Sequence, residues 1–192
     1  DDDDIEIAGA TATISSGITT GDILTLSTQF GISGIYDSST GVLTITGQAS
    51  KENYQTAMRS ITYHSTSEDP TITESSRIVS WTVTDANSES LGAETSTAVT
   101  STINITPQND APVMSAGATL AYTENEAATV IDNTITIIDD DDIEIAGGTV
   151  TITSGITTGD ILALSTQFGI SGIYDSSTGV LTITGQASKE NY

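Results

Sequence analysis

Residues 139–192 read DDDDIEIAGGTVTITSGITTGDILALSTQFGISGIYDSSTGVLTITGQASKENY, and residues 1–54 read DDDDIEIAGATATISSGITTGDILTLSTQFGISGIYDSSTGVLTITGQASKENY. The two stretches differ only at Ala10/Gly148, Ala12/Val150, Ser15/Thr153 and Thr25/Ala163, and Asp1 recurs as Asp139, a period of 138 residues. Self-similarity at a fixed period is the mark of a repeat architecture. Within the copied stretch, Leu43-Thr44-Ile45-Thr46 alternates apolar and polar residues. That period of two buries one face of a strand and wets the other, as in antiparallel sheets.

The remainder of the period carries the same pattern. Val79, Trp81 and Val83 alternate with Ser80, Thr82 and Thr84, and Val99, Ser101, Ile103 and Ile105 alternate with Thr100, Thr102 and Asn104. Ile135-Thr136-Ile137 obeys the same rule, and a further strand is expected around Leu120–Tyr122. Threonine on the wet face suits a pleated surface without making it sticky. Tyr36-Asp37-Ser38-Ser39-Thr40-Gly41 reads as a hairpin loop. One short helix is expected, capped by Ser50, with Tyr54, Ala57 and Met58 facing inward. Trp81, the only tryptophan, reads as a core anchor. The expected fold class is all-β: tandem antiparallel β-sandwich modules.

Pro107-Gln108-Asn109-Asp110-Ala111-Pro112 is the expected joint between modules. On that division, residues 1–108 form one repeat lacking its own first strands. Residues 109–192 begin the next repeat, without the part that corresponds to residues 55–108. A neighbouring repeat or an identical subunit is then expected to complete the second core, and open sheet edges invite such exchange in a homopolymer or filament.

The 192-residue chain carries 26 acidic and 4 basic side chains, a net charge of −22. Such a surface opposes nucleic acid, which needs Lys and Arg to displace counterions, and anionic membranes. It suits a chain bathed in divalent cations. Only 36% of residues are hydrophobic; that low content with high charge can mean disorder, but the regular alternation favours folded strands. The sequence has no cysteine, so thiolate metal sites and disulfides are absent. No apolar run reaches the length needed to span a bilayer as a helix.

The acids cluster at strand ends. Asp139–Asp142 follows the strand expected at 135–138, and four adjacent carboxylates repel unless something compensates. Ca²⁺ compensates well, since it takes 6–8 oxygens. In an extended segment Asp139 and Asp141 point one way, and Asp140 and Asp142 the other. Asp85, Asn109-Asp110 and Glu124-Asn125-Glu126 also follow strands, where sandwich loops gather at the poles. Asp37 and Asp175, by contrast, read as ordinary turn residues.

With these residues on the page, the stretch from Val79 through TVTDANSESL to INITPQNDAP resembles the end of a bacterial cadherin-like repeat of the kind found in giant surface adhesins. Asn109-Asp110-Ala111-Pro112 resembles the inter-repeat motif, YTENE at 122–126 the acidic first-strand motif, and Asp139-x-Asp141 the family's Asp-x-Asp segment. GIYDSSTGVLTITGQAS and NYQTAMRSITYHST resemble its middle strands. The resemblance implies an immunoglobulin-like sandwich and calcium held between successive repeats. The implied ligands are Asp139, Asp141 and Glu124 from one unit, Asn109 and Asp110 from the linker, and Asp85 from a strand end. Asp1 and Asp3 repeat the role in the earlier copy. The sequence departs from the animal cadherin linker: Pro107 stands where an Asp is expected and the final Asn is missing, so fewer or weaker ions are implied.

No P-loop, GxSxG or HExxH occurs. His64, the single histidine, follows a strand beside Tyr63 and reads as a surface or packing residue. Carboxylate pairs alone do not make a glycosidase without an aromatic-lined cleft, and aromatics are 5% of residues. The expected role is therefore non-enzymatic: an extracellular, secreted or bacterial cell-surface stalk, fibre or filament stiffened by calcium and serving adhesion or matrix. The alternative is a module that binds a carbohydrate or a protein surface.

Overall fold

A computed structural model describes residues 5–87, 90 and 92–192. The chain forms two compact units, Asp1–Gln108 and Asn109–Tyr192. In both, regular structure is mostly antiparallel strand.

The first unit runs β1 (Glu6–Ser16), β2 (Asp22–Thr25), β3 (Ser33–Asp37), β4 (Val42–Ser50), α1 (Lys51–Arg59), β5 (Thr62–Ser65), β6 (Ser76–Asp85) and β7 (Val99–Asn104). Five strands make one antiparallel sheet in the order β3-β4-β1-β6-β7, and β2 pairs with β5 separately. The central strand β1 buries Ile7, then Ala10, Ala12 and Ile14. The phase of this alternation changes between Ile7 and Gly9, where the register with both β4 and β6 shifts. A bulge of this kind inserts one residue and re-aims the side chains that follow. Leu43 and Ile45 of β4, Val79 of β6, Leu24 of β2 and Tyr54 and Ala57 of α1 close on the same core.

Ser50 caps α1, its hydroxyl accepting from the Asn53 N–H at 3.3 Å. Tyr54 and Ala57 are buried and Met58 packs against the core. Tyr54 also donates its hydroxyl to the Gly47 carbonyl at 2.6 Å. Trp81 is not the buried anchor its sequence suggests. It is half-buried at the core's margin, and its indole N–H donates to Ser101 Oγ at 3.0 Å. His64 lies within β5, not after a strand, and is exposed.

The second unit contains β8 (Val113–Ser115), β9 (Thr136–Ile138), β10 (Glu144–Thr151), β11 (Ser171–Asp175), β12 (Val180–Ser188) and a 3₁₀ turn at Lys189–Asn191. β8 pairs with β9, and a three-stranded sheet has the order β10-β12-β11. The β10–β12 register reproduces the β1–β4 register, bulge included. Residues 116–135 form turns and irregular chain, so the strand expected around Leu120–Tyr122 is not formed. A tether replaces it: Asp132 accepts from the Gly117 and Ala118 N–H groups at 2.9 and 3.0 Å and from the Thr134 N–H and hydroxyl. These bonds, led by that from Gly117, hold the carboxyl far below its usual range.

Candidate metal centre

The acidic run enters its unit directly after β9. Asp139 is buried, Asp141 half-buried, and Asp140 and Asp142 exposed. The expected sorting of side chains is present, but the backbone is bent, not extended. Asp139 Oδ1 accepts from the N–H groups of Asp141 at 3.1 Å and Asp142 at 2.8 Å. A carboxylate that bonds its own chain two residues on favours a turn over a strand. Both bonds use Oδ1. The carbonyl of Asp139 accepts from the Lys189 ammonium, so one of the few cations in the chain sits on the run.

The linker reaches the same place. The Asp110 N–H donates to Asp141 Oδ2 at 2.5 Å, and the Asn109 side-chain amide donates to the Asp110 carbonyl at 2.8 Å. Asn109, Asp110, Asp139 and Asp141 are thus joined by contact within one unit. Glu124 lies in the turn closed by the Glu126 N–H on the Thr123 carbonyl, at 3.1 Å, and is exposed. Asp85 belongs to the first unit, where it is buried. Both its carboxylate oxygens accept from the Glu94 N–H at 3.0 Å, and Oδ1 also from the Asn87 N–H at 3.2 Å. Its place is that of a loop organiser. Asp1 and Asp3 lie outside the described residues.

Among the described residues, no three carboxylate or imidazole side chains converge at metal-holding separation. The donor set fits a hard cation in kind, since carboxylates, an amide and backbone carbonyls are all oxygen ligands. Among the described residues, these hydrogen bonds fall on Asp139 Oδ1 and Asp141 Oδ2, which leaves Asp139 Oδ2 and Asp141 Oδ1 for such an ion.

The most constrained polar site lies elsewhere. Arg77 Nε donates to Asp22 Oδ2 at 2.6 Å, and both side chains are wholly buried. Asp22 also accepts from the Thr19 N–H at 2.8 Å and the Tyr63 hydroxyl at 2.6 Å. The other guanidinium nitrogens donate to the Glu74 carbonyl, Thr19 Oγ1 and the Pro70 carbonyl at 2.8, 2.9 and 2.5 Å. Burial would push the Asp22 carboxyl up, but the bonds from Arg77, Tyr63 and Thr19 outweigh it and hold the group below its ordinary value. Burial, and then Asp22, push the Tyr63 phenol up to about 12. The sequence carried one unused signal for this site: Arg77 shares the parity of Val79 and Val83, so an arginine sits on the inward face of a strand. Nothing near Asp22, in an ordinary Gly-Asp turn, marks it as the partner.

The first unit also has a cavity of about 420 Å³, lined by Ile7, Tyr54, Met58 and Val83 with Lys51 and Asp85 at its polar side. In the second unit Lys189, the copy of Lys51, lies beside β9 and donates to Asp139. No protein-family model, curated protein or solved structure matches the chain.

Proposed function

We propose that the chain is a structural, extracellular repeat of cadherin-like β-sandwich modules, in which calcium at the acidic end of each module stiffens a stalk or filament. The observation that carries this reading is the bond from the Asp110 N–H to Asp141. It ties the linker to the acidic run, so an ion on Asp139 and Asp141 would hold linker and module together. Asp139, Asp141 and Asp110 would supply charge, and Asn109 a neutral oxygen. Near-identical copies 138 residues apart suit a role in which repetition adds length. Adhesion or matrix at a bacterial surface is the setting that accords with the acidity.

Thermal melting with and without chelator tests the reading. Extracellular calcium modules bind at about 10⁻⁴–10⁻³ M. At about 10 mM Ca²⁺, ligation of the folded form then adds roughly 1.4–2.7 kcal/mol. The second unit melts several degrees higher, and Asp139→Asn with Asp141→Asn removes the gain. A melting curve indifferent to calcium up to that concentration refutes the ion.

A second reading, a binding module, draws on the 420 Å³ cavity, which is within the size range of ligand sites. Its lining is apolar with few convergent donors, which favours a peptide segment over a carbohydrate. Soaking or titrating simple sugars against the chain yields no saturable change in Tyr or Trp fluorescence if the structural reading holds.

A further inference from the structure

β3 and its copy β11 are outer strands, in the sheet orders β3-β4-β1-β6-β7 and β10-β12-β11. No missing neighbour explains their place. Outside the copied stretch, one period consists of residues 55–138. Residues 55–108 lie in the unit of β3 and residues 109–138 in the unit of β11. Among the described residues, neither part pairs with the outer edge beside it. Both strands read Ser-Gly-Ile-Tyr-Asp, and both hold an unbroken register with the next strand of their hairpin. Ile35 and Ile173, at their centres, are each 78% exposed.

An antiparallel strand turns alternate backbone pairs to opposite sides, so an outer strand offers every second N–H and C=O to whatever lies beyond it. Proteins usually blunt such an edge with lysine, proline, a bulge or an inward charge. β3 and β11 carry none of these. Their isoleucine stands on the hydroxyl-bearing face of the sheet, opposite Thr44 in one copy and Thr182 in the other. The turn leading into each strand exposes a phenylalanine as well, Phe30 or Phe168.

Charge selects the occupant. The chain carries −22, yet from Ile23 to Ser50 its only charged side chain is Asp37, and from Ile161 to Ser188 only Asp175. A basic partner would find its counter-charges elsewhere on the surface. A second copy is repelled elsewhere and least repelled here. Antiparallel pairing centred on the isoleucines sets Ile35 opposite its counterpart and Asp37 opposite Ser33, so an apolar pair forms and no carboxylate faces another. Parallel pairing would bring the aspartates side by side. The edge is complementary to itself in one direction only.

We propose that β3 and β11 are lateral contact strands, each pairing antiparallel with β3 or β11 of a second copy of this chain. Finished sheets are joined edge to edge: no strand leaves its own sheet, and no core is completed by the contact. A five-residue edge spans about 17 Å and buries less than the roughly 1,200–2,000 Å² of a stable interface. Two such edges 138 residues apart make the contact multivalent, so weak pairings reinforce one another between associated chains. The inference rests on neither calcium nor the linker.

Sedimentation velocity of the chain in chelator, over a concentration series at low and high salt, tests it. Average mass should rise with concentration and rise further in high salt, which screens the repulsion between acidic chains. Amides of residues 33–37 and 171–175 should exchange more slowly as association proceeds. Ile35→Lys with Ile173→Lys should weaken association by roughly tenfold or more, although it lowers the net charge and so the general repulsion. Both positions are exposed, so the urea midpoint read at Trp81 should stay unchanged. Mixing this variant with Ile35→Glu/Ile173→Glu should restore association, because the register sets Lys opposite Glu. The proposal is overturned if the chain stays monomeric throughout the series at high salt, or if the lysine variant associates as well as the natural chain. It is equally overturned if protection appears on another strand and not on β3 and β11, or if the mixture fails to associate.

Discussion

Arg77→Met is expected to cost the first unit about 3–5 kcal/mol, the usual penalty for removing one partner of a buried ion pair. The structure sets the size. Asp22 is left with no accessible surface, and its remaining donors, the Thr19 N–H and the Tyr63 hydroxyl, bring no charge. The Glu74 and Pro70 carbonyls lose their donor as well. Against a typical total of about 5–15 kcal/mol, the loss lowers the melting temperature by on the order of 10–40 °C. Urea unfolding followed at Trp81 isolates this unit, because Trp81 is the only tryptophan and lies in β6. The reasoning makes a second, less intuitive demand. Adding Asp22→Asn to Arg77→Met should restore part of the stability, since the neutral amide costs less to bury than an unpaired carboxylate and still accepts from Tyr63. A loss under about 1 kcal/mol for the single variant, or a double variant no better than the single, would refute the account.

Other outcomes follow from the same geometry. Lowering the pH should weaken the first unit below about pH 4: the lowered Asp22 pKa gives stability that is present above the unfolded value and lost as pH falls through the folded one. Acid titration of Trp81 fluorescence reads this, and Asp22→Asn flattens the slope. Ser50→Ala should cost about 1 kcal/mol by loss of the cap. Ser188→Ala, at the copied position with no side-chain cap, should be nearly silent in a melt. Gly47→Ala should cost about 1–3 kcal/mol from its φ of +116° alone, and more from the overlap with the Gly31 carbonyl. Denaturant midpoints compared with those of Ala49→Gly, a change outside the left-handed region, check it.

The alternation around Leu43–Thr46 and Val79–Val83 was sufficient to place β4 and β6, and the Ser50 cap to place α1, because periodicity and capping are written within a few residues. The 116–135 stretch misled: Leu120–Tyr122 is apolar enough for a strand, but its backbone is organised by Asp132 from a distance in sequence. At Asp139 the expected extended backbone was the part not legible, since the bonds from the Asp141 and Asp142 N–H groups to its own Oδ1 bend the chain. The linker-to-run contact between Asp110 and Asp141 was legible only as two acidic motifs, with no sign of which atoms would meet.

The repeat separates the two kinds of information cleanly. Sequence alone determined the hairpin, the bulge and the close approaches at Gly47 and Gly185, which the two copies share because their causes lie within the copied residues. Tertiary structure alone decided that Asp22 is buried under a guanidinium while Asp160, in the same Gly-Ile-Thr-Thr-Gly-Asp context, is not. It likewise made β1 an interior strand and β10 an edge. The partners that decide both come from residues 55–108, and no local sequence can specify a neighbour that lies 55 residues away.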